Sequence, residues 1–410
     1  MQTQPQAAAP STDRHYGMDW LRIGAFLLLI FYHIGMFFVH WDWHVKARPV
    51  LEWVAVPMLA TNAWRIPLLF LVSGYASAAI VQKGVGRGGS AGRFARERTL
   101  RLLVPVLFGM AVVVPPQVWI DLVGQHGYRR GFLDFWGGDY FAFQKISGIA
   151  MPTWQHLWFV VYLWLYTLAL ALLLAILPAA WRARIAGWAD QAFGGWRVLA
   201  VPLALLAVHL IAIWPGQSET HDVVNDGPAH RVYFAIFLFG YLLRGGTRVW
   251  QGIRAWWKVA AALALLGYAI VAGVELNWPG RAVPPDWALA AYAVARMFQG
   301  WCAIVALLGI ADRFWNRDHS WRATLTEAVF PFYLIHQTII VVVAWWCLNA
   351  GLGNLESFAV LVAATTLGCW LFYRVGRAIP GVRLLIGLRG WRAPLEPKRP
   401  PVPSASAPGG

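Results

Sequence analysis

The chain has 410 residues, of which 59% are hydrophobic and 13% charged, with a mean hydropathy of +0.52. A soluble protein carries charge at about a quarter of its positions, so this composition excludes soluble enzymes, secreted domains and disordered chains and predicts an integral membrane protein. The net charge of +15 would point to a nucleic-acid partner on a soluble chain. On a membrane chain it must first be read by its position between spans.

Residues 1–15, rich in Ala, Pro, Ser and Gln, hold too little apolar surface to bury and read as a disordered end. Apolar segments follow near 20–40, 53–81, 101–120, 156–178, 197–214, 230–244, 255–275, 287–311, 326–348 and 356–376. Each approaches the length of about 20 residues that crosses a bilayer, so the expectation is an all-α protein of about ten transmembrane helices filling residues 16–392. The first run continues into His40-Trp41-Asp42-Trp43 without a small-residue cleavage site and is expected to stay as a helix. The sixth, over 231–243, is short and must sit within the bundle or lean on local thinning. Residues 393–410 read as a second disordered tail.

The connections test this count. Lys83, Arg87, Arg93, Arg96, Arg98 and Arg101 follow the second span; Arg182, Arg184 and Arg197 the fourth; Arg244, Arg248, Arg254 and Lys258 the sixth; Arg313, Arg317 and Arg322 the eighth. The tail adds Arg374, Arg377, Arg383, Arg389, Arg392, Lys398 and Arg399. The alternate connections mix signs: Asp121, Asp134 and Asp139 with Arg129, Arg130 and Lys145, then Glu219, Asp222 and Asp226 with Arg231, then Glu275 and Asp286 with Arg281. Lys and Arg flanking spans stay in the cytoplasm, so this pattern predicts an even number of spans with both termini cytoplasmic. Most of the positive charge is then an orientation signal, and no nucleic-acid partner is expected.

Cys302, Cys347 and Cys369 fall inside apolar runs with no metal or disulfide spacing and read as packing residues. Among 26 Trp residues, Trp41, Trp43, Trp53, Trp154, Trp214, Trp278 and Trp287 lie near expected span ends, where an interfacial belt explains most of them and leaves a minority for sugar stacking.

Ionisable groups at membrane depth are expensive and mark function. Asp19, Arg22 and His33 lie in the first span, Arg65 in the second, Arg296 in the eighth, and Glu327 and His336 in the ninth. Arg22 and His33 are eleven positions apart, about three helical turns, so they share one face at a separation of about 16 Å. Asp19, one turn before Arg22, can pair with it. Arg98 and Arg101, also one turn apart, can hold phosphate at the cytoplasmic face or serve as an ordinary positive flank. Arg65 and Arg296 have few carboxylates at comparable depth and cannot shed their charge, which implies an anionic part of a ligand or a structural hydrogen-bonding role. On the outer side lie His44, His126, Trp154, His156, Trp158, His221, Asp222 and Asp226, without a zinc-binding spacing, so no metal is expected. Ser73-Gly74, in the second span, reads either as part of a site or as a small-residue packing contact.

Six short motifs then occur in order: Arg22 and His33 with ten residues between; Trp43-His44-Val45; Phe70-Leu71-Val72-Ser73-Gly74-Tyr75; Arg98-Thr99-Leu100-Arg101; His156-Leu157-Trp158-Phe159; and Pro331-Phe332-Tyr333-Leu334-Ile335-His336-Gln337. The series resembles the acyltransferase-3 family of membrane proteins, most closely its glucans biosynthesis protein C branch, over nearly the whole chain. The resemblance implies transfer of an acyl group, succinyl or acetyl, from cytoplasmic acyl-CoA to a sugar hydroxyl of a periplasmic glucan or surface polysaccharide, across a bacterial inner membrane. It implies acyl-CoA as the donor substrate, with no permanently bound cofactor. Arg22, Arg98, Arg101 and Ser73 are then expected at the donor site. His33 is the expected base, aided by His336 or His156, and Arg65, Arg296, His44 and Trp158 are expected around the substrate. The competing class is a transporter or flippase of an amphipathic anion, which would also line its path with arginines but shows no inverted repeat in the sequence.

Overall fold

The computed structural model describes residues 14–85, 90–213 and 219–388. The two tails, together with Arg87, Trp214, Arg389, Arg392, Lys398 and Arg399, lie outside the described residues. Arg14 and His15, expected to belong to the loose end, are tied down: Arg14 pairs with Asp19 at 2.7 Å, and His15 meets Asp312 at 3.0 Å.

The chain opens with α1 (Tyr16–Gly35), α2 (Ala55–Asn62) and α3 (Arg65–Val85), followed by α4 (Ala91–Phe108), α5 (Pro115–Gln125) and α6 (Phe132–Gly137). A small hairpin of β1 (Lys145–Ile146) and β2 (Ile149–Ala150) leads into α7 (Trp158–Ile176), α8 (Ala179–Ala192), α9 (Arg197–Ile213) and α10 (Gly227–Leu243). The chain continues through α11 (Arg248–Asn277), α12 (Asp286–Phe314), α13 (Ser320–Asn349), α14 (Asn354–Ala378) and the short α15 (Pro380–Leu385). Apart from that hairpin the architecture is all-α, that of a multi-pass membrane protein. Seven helices among the described residues are long and apolar enough to cross a membrane, or nine if two bent pairs each count as one crossing. The remaining expected span is α10, whose 17 residues extend four positions before the apolar stretch read from the sequence.

Each bend has a local cause. Residues Gly109–Val113 form a π-helical turn, and Pro115 opens α5 without a backbone N–H to continue the ladder. The two halves therefore meet at 41°. The 99° break between α8 and α9 falls at Gly194-Gly195, where Gly195 has a φ of +61°, a conformation that glycine adopts without a side-chain clash. The sequence reading placed residues 179–192 in a connection, and they form a helix that carries Arg182 on a half-buried and Arg184 on an exposed position.

The short α10 is held by α3. A methyl group on Gly240 would come 2.0 Å from the Leu71 carbonyl oxygen, and one on Gly74 would come 1.9 Å from that of Phe237. The backbones touch, which is the small-residue contact that substitutes for hydrophobic driving force in a bilayer. Ser73-Gly74 thus belongs to a helix seam, and Ser73 lines neither of the two cavities described below. Around this pair, α1 packs on α13, α3 and α12, while α4 packs on α7. That arrangement sets α1 and α13 side by side, and their polar residues face one another. Cys302, Cys347 and Cys369 are buried and free.

Candidate active site

The site is assembled where α1 meets α13 at the end of the bundle opposite the arginine-rich connections. His33 comes from the last turn of α1, His336 from the middle of α13, and His156 from the turn of residues 155–157 that precedes α7. His33 Nδ1 lies 2.7 Å from His336 Nε2, and His336 Nδ1 lies 2.7 Å from the Tyr333 carbonyl oxygen. A carbonyl only accepts, so in the neutral ring His336 carries its proton on Nδ1 and presents Nε2 as an acceptor. His33 must then donate from Nδ1, and its lone pair is left on Nε2. Trp43 stacks on His33 at 5.2 Å between ring centres, which fixes the plane of the imidazole.

His156 is placed differently. Its Nε2 donates to the Leu334 carbonyl at 3.1 Å, its own carbonyl accepts from the Tyr333 hydroxyl, and its ring meets His336 edge-on at 5.2 Å. It ties the start of α7 to α13 and leaves Nδ1 buried without a partner. Between the two assisting histidines that the sequence left open, the one bonded to His33 is His336. No group of three or more His, Cys, Asp or Glu is arranged to hold a metal among the described residues.

His44 anchors the loop after α1. Its Nδ1 donates to Asp121 at 3.1 Å, and its Nε2 accepts from the Gln337 amide at 3.2 Å. That amide also donates to Gln117 Oε1 at 3.0 Å, Gln117 donates to Thr338 Oγ1 at 2.6 Å, and Thr338 donates to the Val113 carbonyl at 2.6 Å. Each buried polar group in this chain has a partner, so the network locks the loop, α5 and α13 into one geometry.

Arg65 and Arg296 meet around Tyr32 and Asn62. The Arg65 guanidinium sits 3.8 Å above the Tyr32 ring and donates to Thr61 Oγ1 at 3.1 Å, while its Nε is buried without a partner. Arg296 donates to Asn62 Oδ1 at 2.7 Å, and Asn62 donates to the Tyr32 hydroxyl at 2.5 Å. Arg65 is only 4% exposed, yet the ion pairs among the described residues include neither arginine. Two cations left this way cost several kcal/mol unless another group compensates them.

His33, His44, His156, Tyr32, Asn62, Arg65 and Arg296 line one cavity of about 960 Å³ that also receives Trp43, Trp154, Trp158 and Glu219. Its far wall includes the segment 219–221: His221 stacks on Trp158 at 4.2 Å, and Glu219 accepts from the Tyr233 hydroxyl at 2.7 Å. Burial raises the pKa of Glu219, partly offset by that hydrogen bond, and burial lowers that of His221.

The arginine-rich end is separate. Arg98 is 9% exposed, and Arg22 reaches the Thr326 carbonyl at 3.4 Å; the Nε atoms of both are buried without partners. Asp19, which can pair with Arg22, does so at 4.0 Å and is held more closely by Arg14 at 2.7 Å and Arg322 at 2.9 Å. The reason is packing: α13 begins beside the first turn of α1 and brings Arg322 closer. Arg22, Arg98 and Arg101 do not line the cavity that holds His33.

The sequence pattern of the acyltransferase domain family matches residues 15–374, a range that contains His33, His156, His336, Arg65, Arg296, Arg22, Arg98 and Arg101. The chain belongs to the acyltransferase-3 family. Within it, the chain is similar to glucans biosynthesis protein C of Escherichia coli. It is 25% identical over 151 residues to that protein from the strains SMS-3-5, K12/DH10B and O157:H7 EC4115. The match covers 37% of this chain and 36% of each relative, so the chain spans about a third of the length of the curated relatives it matches. No solved structure matches the chain. The residues of this cluster that sequence reasoning did not single out are Tyr32, Asn62, Gln117, Asp121 and Thr338. They are ordinary polar residues on separate elements, and only the fold brings them to the catalytic histidine candidates.

Proposed function

We propose that the protein is an acyl-CoA-dependent O-acyltransferase of the bacterial inner membrane, moving a succinyl or acetyl group to a sugar hydroxyl of a periplasmic glucan or surface polysaccharide. The observation that carries this reading is the bonded pair His33 and His336, which leaves a basic nitrogen on His33 within a cavity large enough for an acyl thioester and a sugar. The acceptor hydroxyl gives its proton to His33 Nε2 as its oxygen attacks the thioester carbonyl. The carbon–sulfur bond breaks, and the departing thiolate of CoA takes the proton back, which returns His33 to the neutral form. His336 holds the tautomer throughout.

Arg22, Arg98 and Arg101 are suited to the phosphates of CoA at the cytoplasmic end. The face shared by Arg22 and His33 spans about 16 Å, the same order as an extended pantetheine arm. The passage along that face would open when the donor enters, since the resting cavity stops short of these arginines. Arg65 and Arg296 offer the free carboxylate of a succinyl group the partner they lack, and Trp158 and His44 flank the place left for the acceptor. An anion transporter would use the same two arginines, but it has no use for a base with a fixed tautomer.

Purified protein given succinyl-CoA and a glucan acceptor should release free CoA thiol and yield an esterified glucan. Translocation of an anion without thiol release would replace this reading with the transporter.

A further inference from the structure

The cavity that holds His33 does not end at its polar wall. A second cavity of about 720 Å³ lies beyond it, and His44 and Gln125 line both. Gln125 bridges the boundary by donating its amide to the Trp43 and His44 carbonyls at 2.9 Å each and to Asp121 at 2.9 Å. His44 and Gln125 thus form a rigid saddle shared by the two spaces.

The second cavity differs in chemistry from the first. Asp42, Asp121 and Glu219 line the first cavity, whereas the second has no carboxylate on its wall and has Lys46, Arg48, Asn349, Asn354, Ser357 and Trp345. Lys46 is built into that wall: its ammonium donates to the Met36 carbonyl at 3.0 Å, to the Val39 carbonyl at 2.9 Å, and also to the Trp41 carbonyl. It thereby caps the end of α1, and burial pulls its pKa down to about 8. Gly124 leaves room for the Trp345 ring, which a methyl group there would meet at 2.9 Å. Amides, a hydroxyl, an indole and exposed Arg48, with no opposing acid, make a surface for a hydroxyl-rich chain that is neutral or anionic.

We propose that the acceptor is an oligosaccharide bound across both cavities, with the reacting sugar beside His33 and further units running over the His44 and Gln125 saddle into the second. This rests on the acyl-transfer reading and adds to it a minimum acceptor length. Units in the second cavity touch no reacting atom, so they bind ground state and transition state alike and act on KM. A single sugar would fill the first cavity and leave the second with water.

The test is a series of β-linked gluco-oligosaccharides, from methyl glucoside to octasaccharide, assayed by CoA-thiol release with wild type and Asn349→Trp. Asn349 lies at the exposed end of α13, where an indole would fill the second cavity without entering the first. Wild type should gain about tenfold in kcat/KM on lengthening the acceptor, mostly through KM. Asn349→Trp should lose that gain and keep the methyl glucoside rate. Calorimetric binding of the octasaccharide, weakened in Asn349→Trp, supplies a readout independent of chemistry. Length-independent wild-type kinetics, or equal losses for short and long acceptors in the variant, would overturn the extended groove and leave acyl transfer standing. Absence of thiol release with every acceptor would overturn both.

Discussion

His336 is the residue whose role the geometry sharpens most. It accepts one proton from His33 and donates the other to a backbone carbonyl, so its contribution is to choose which nitrogen of His33 is basic. Replacement by Phe should leave the fold intact and lower kcat by about 100-fold, the size of a general-base contribution, because His33 then loses its preferred tautomer. Gln, whose side-chain oxygen can still accept from His33 Nδ1, should restore part of the rate. Equal rates for His336→Phe and His336→Gln would mean that the tautomer is set elsewhere. Nitrogen NMR of labelled histidine gives the direct readout, with Nδ1 of His33 protonated in wild type and mixed in the Phe variant. Arg65 makes a second residue-scale claim. Arg65→Gln should penalise succinyl-CoA far more than acetyl-CoA in kcat/KM, since only the former carries a carboxylate for the guanidinium to hold. Equal losses with the two donors would contradict it.

At the scale of elements, the seam between α3 and α10 explains how a helix of 17 residues keeps its place among longer ones. Gly74 and Gly240 each face the partner's backbone, and even a methyl group at either would overlap a carbonyl oxygen. Gly240→Leu should therefore abolish the folded protein in detergent, measured as loss of the monodisperse peak and of thermal unfolding. Gly273→Ala, in α11 with open space at its Cβ, should be neutral or stabilising by about 1 kcal/mol. A folded Gly240→Leu variant would show that the two helices are held by other contacts. Much at this scale was legible in advance, because a span is a property of about 20 consecutive residues and the register of Arg22 to His33 is a property of one helix. What escaped the sequence depends on pairs of elements. Asp19 pairs with Arg22, its neighbour along the helix, at 4.0 Å, but its closer partner Arg322, some 300 positions away, comes only through the packing of α1 on α13. His336 and His156 were indistinguishable as assistants, because both are single histidines in apolar surroundings until the fold bonds one of them to His33. Residues 179–192 read as a charged connection and form a helix, since a half-apolar amphipathic stretch carries too weak a signal at its length.

For the whole molecule, the division of charge is the organising feature. Arg22, Arg98 and Arg101 lie at one end and the histidine cavity at the other, an arrangement suited to a donor and an acceptor that arrive from opposite sides. The positive flanks predict that the connection holding Arg93 and Arg96 and the one holding Arg313 and Arg317 face the cytoplasm. Single cysteines placed in these connections should resist an impermeant thiol reagent in intact cells, while one placed in the hairpin of residues 145–150 should react. The reverse pattern would invert the molecule and with it the assignment of donor and acceptor ends. The central claim is narrower than topology: His33 takes the proton from the acceptor as the thioester is attacked. Its most direct test is the rate of CoA-thiol release by purified wild type and His33→Ala with succinyl-CoA and an oligosaccharide acceptor. The account predicts release by wild type and its loss to the background rate in the variant while acyl-CoA binding is retained. Thiol release at the wild-type rate from His33→Ala would contradict it.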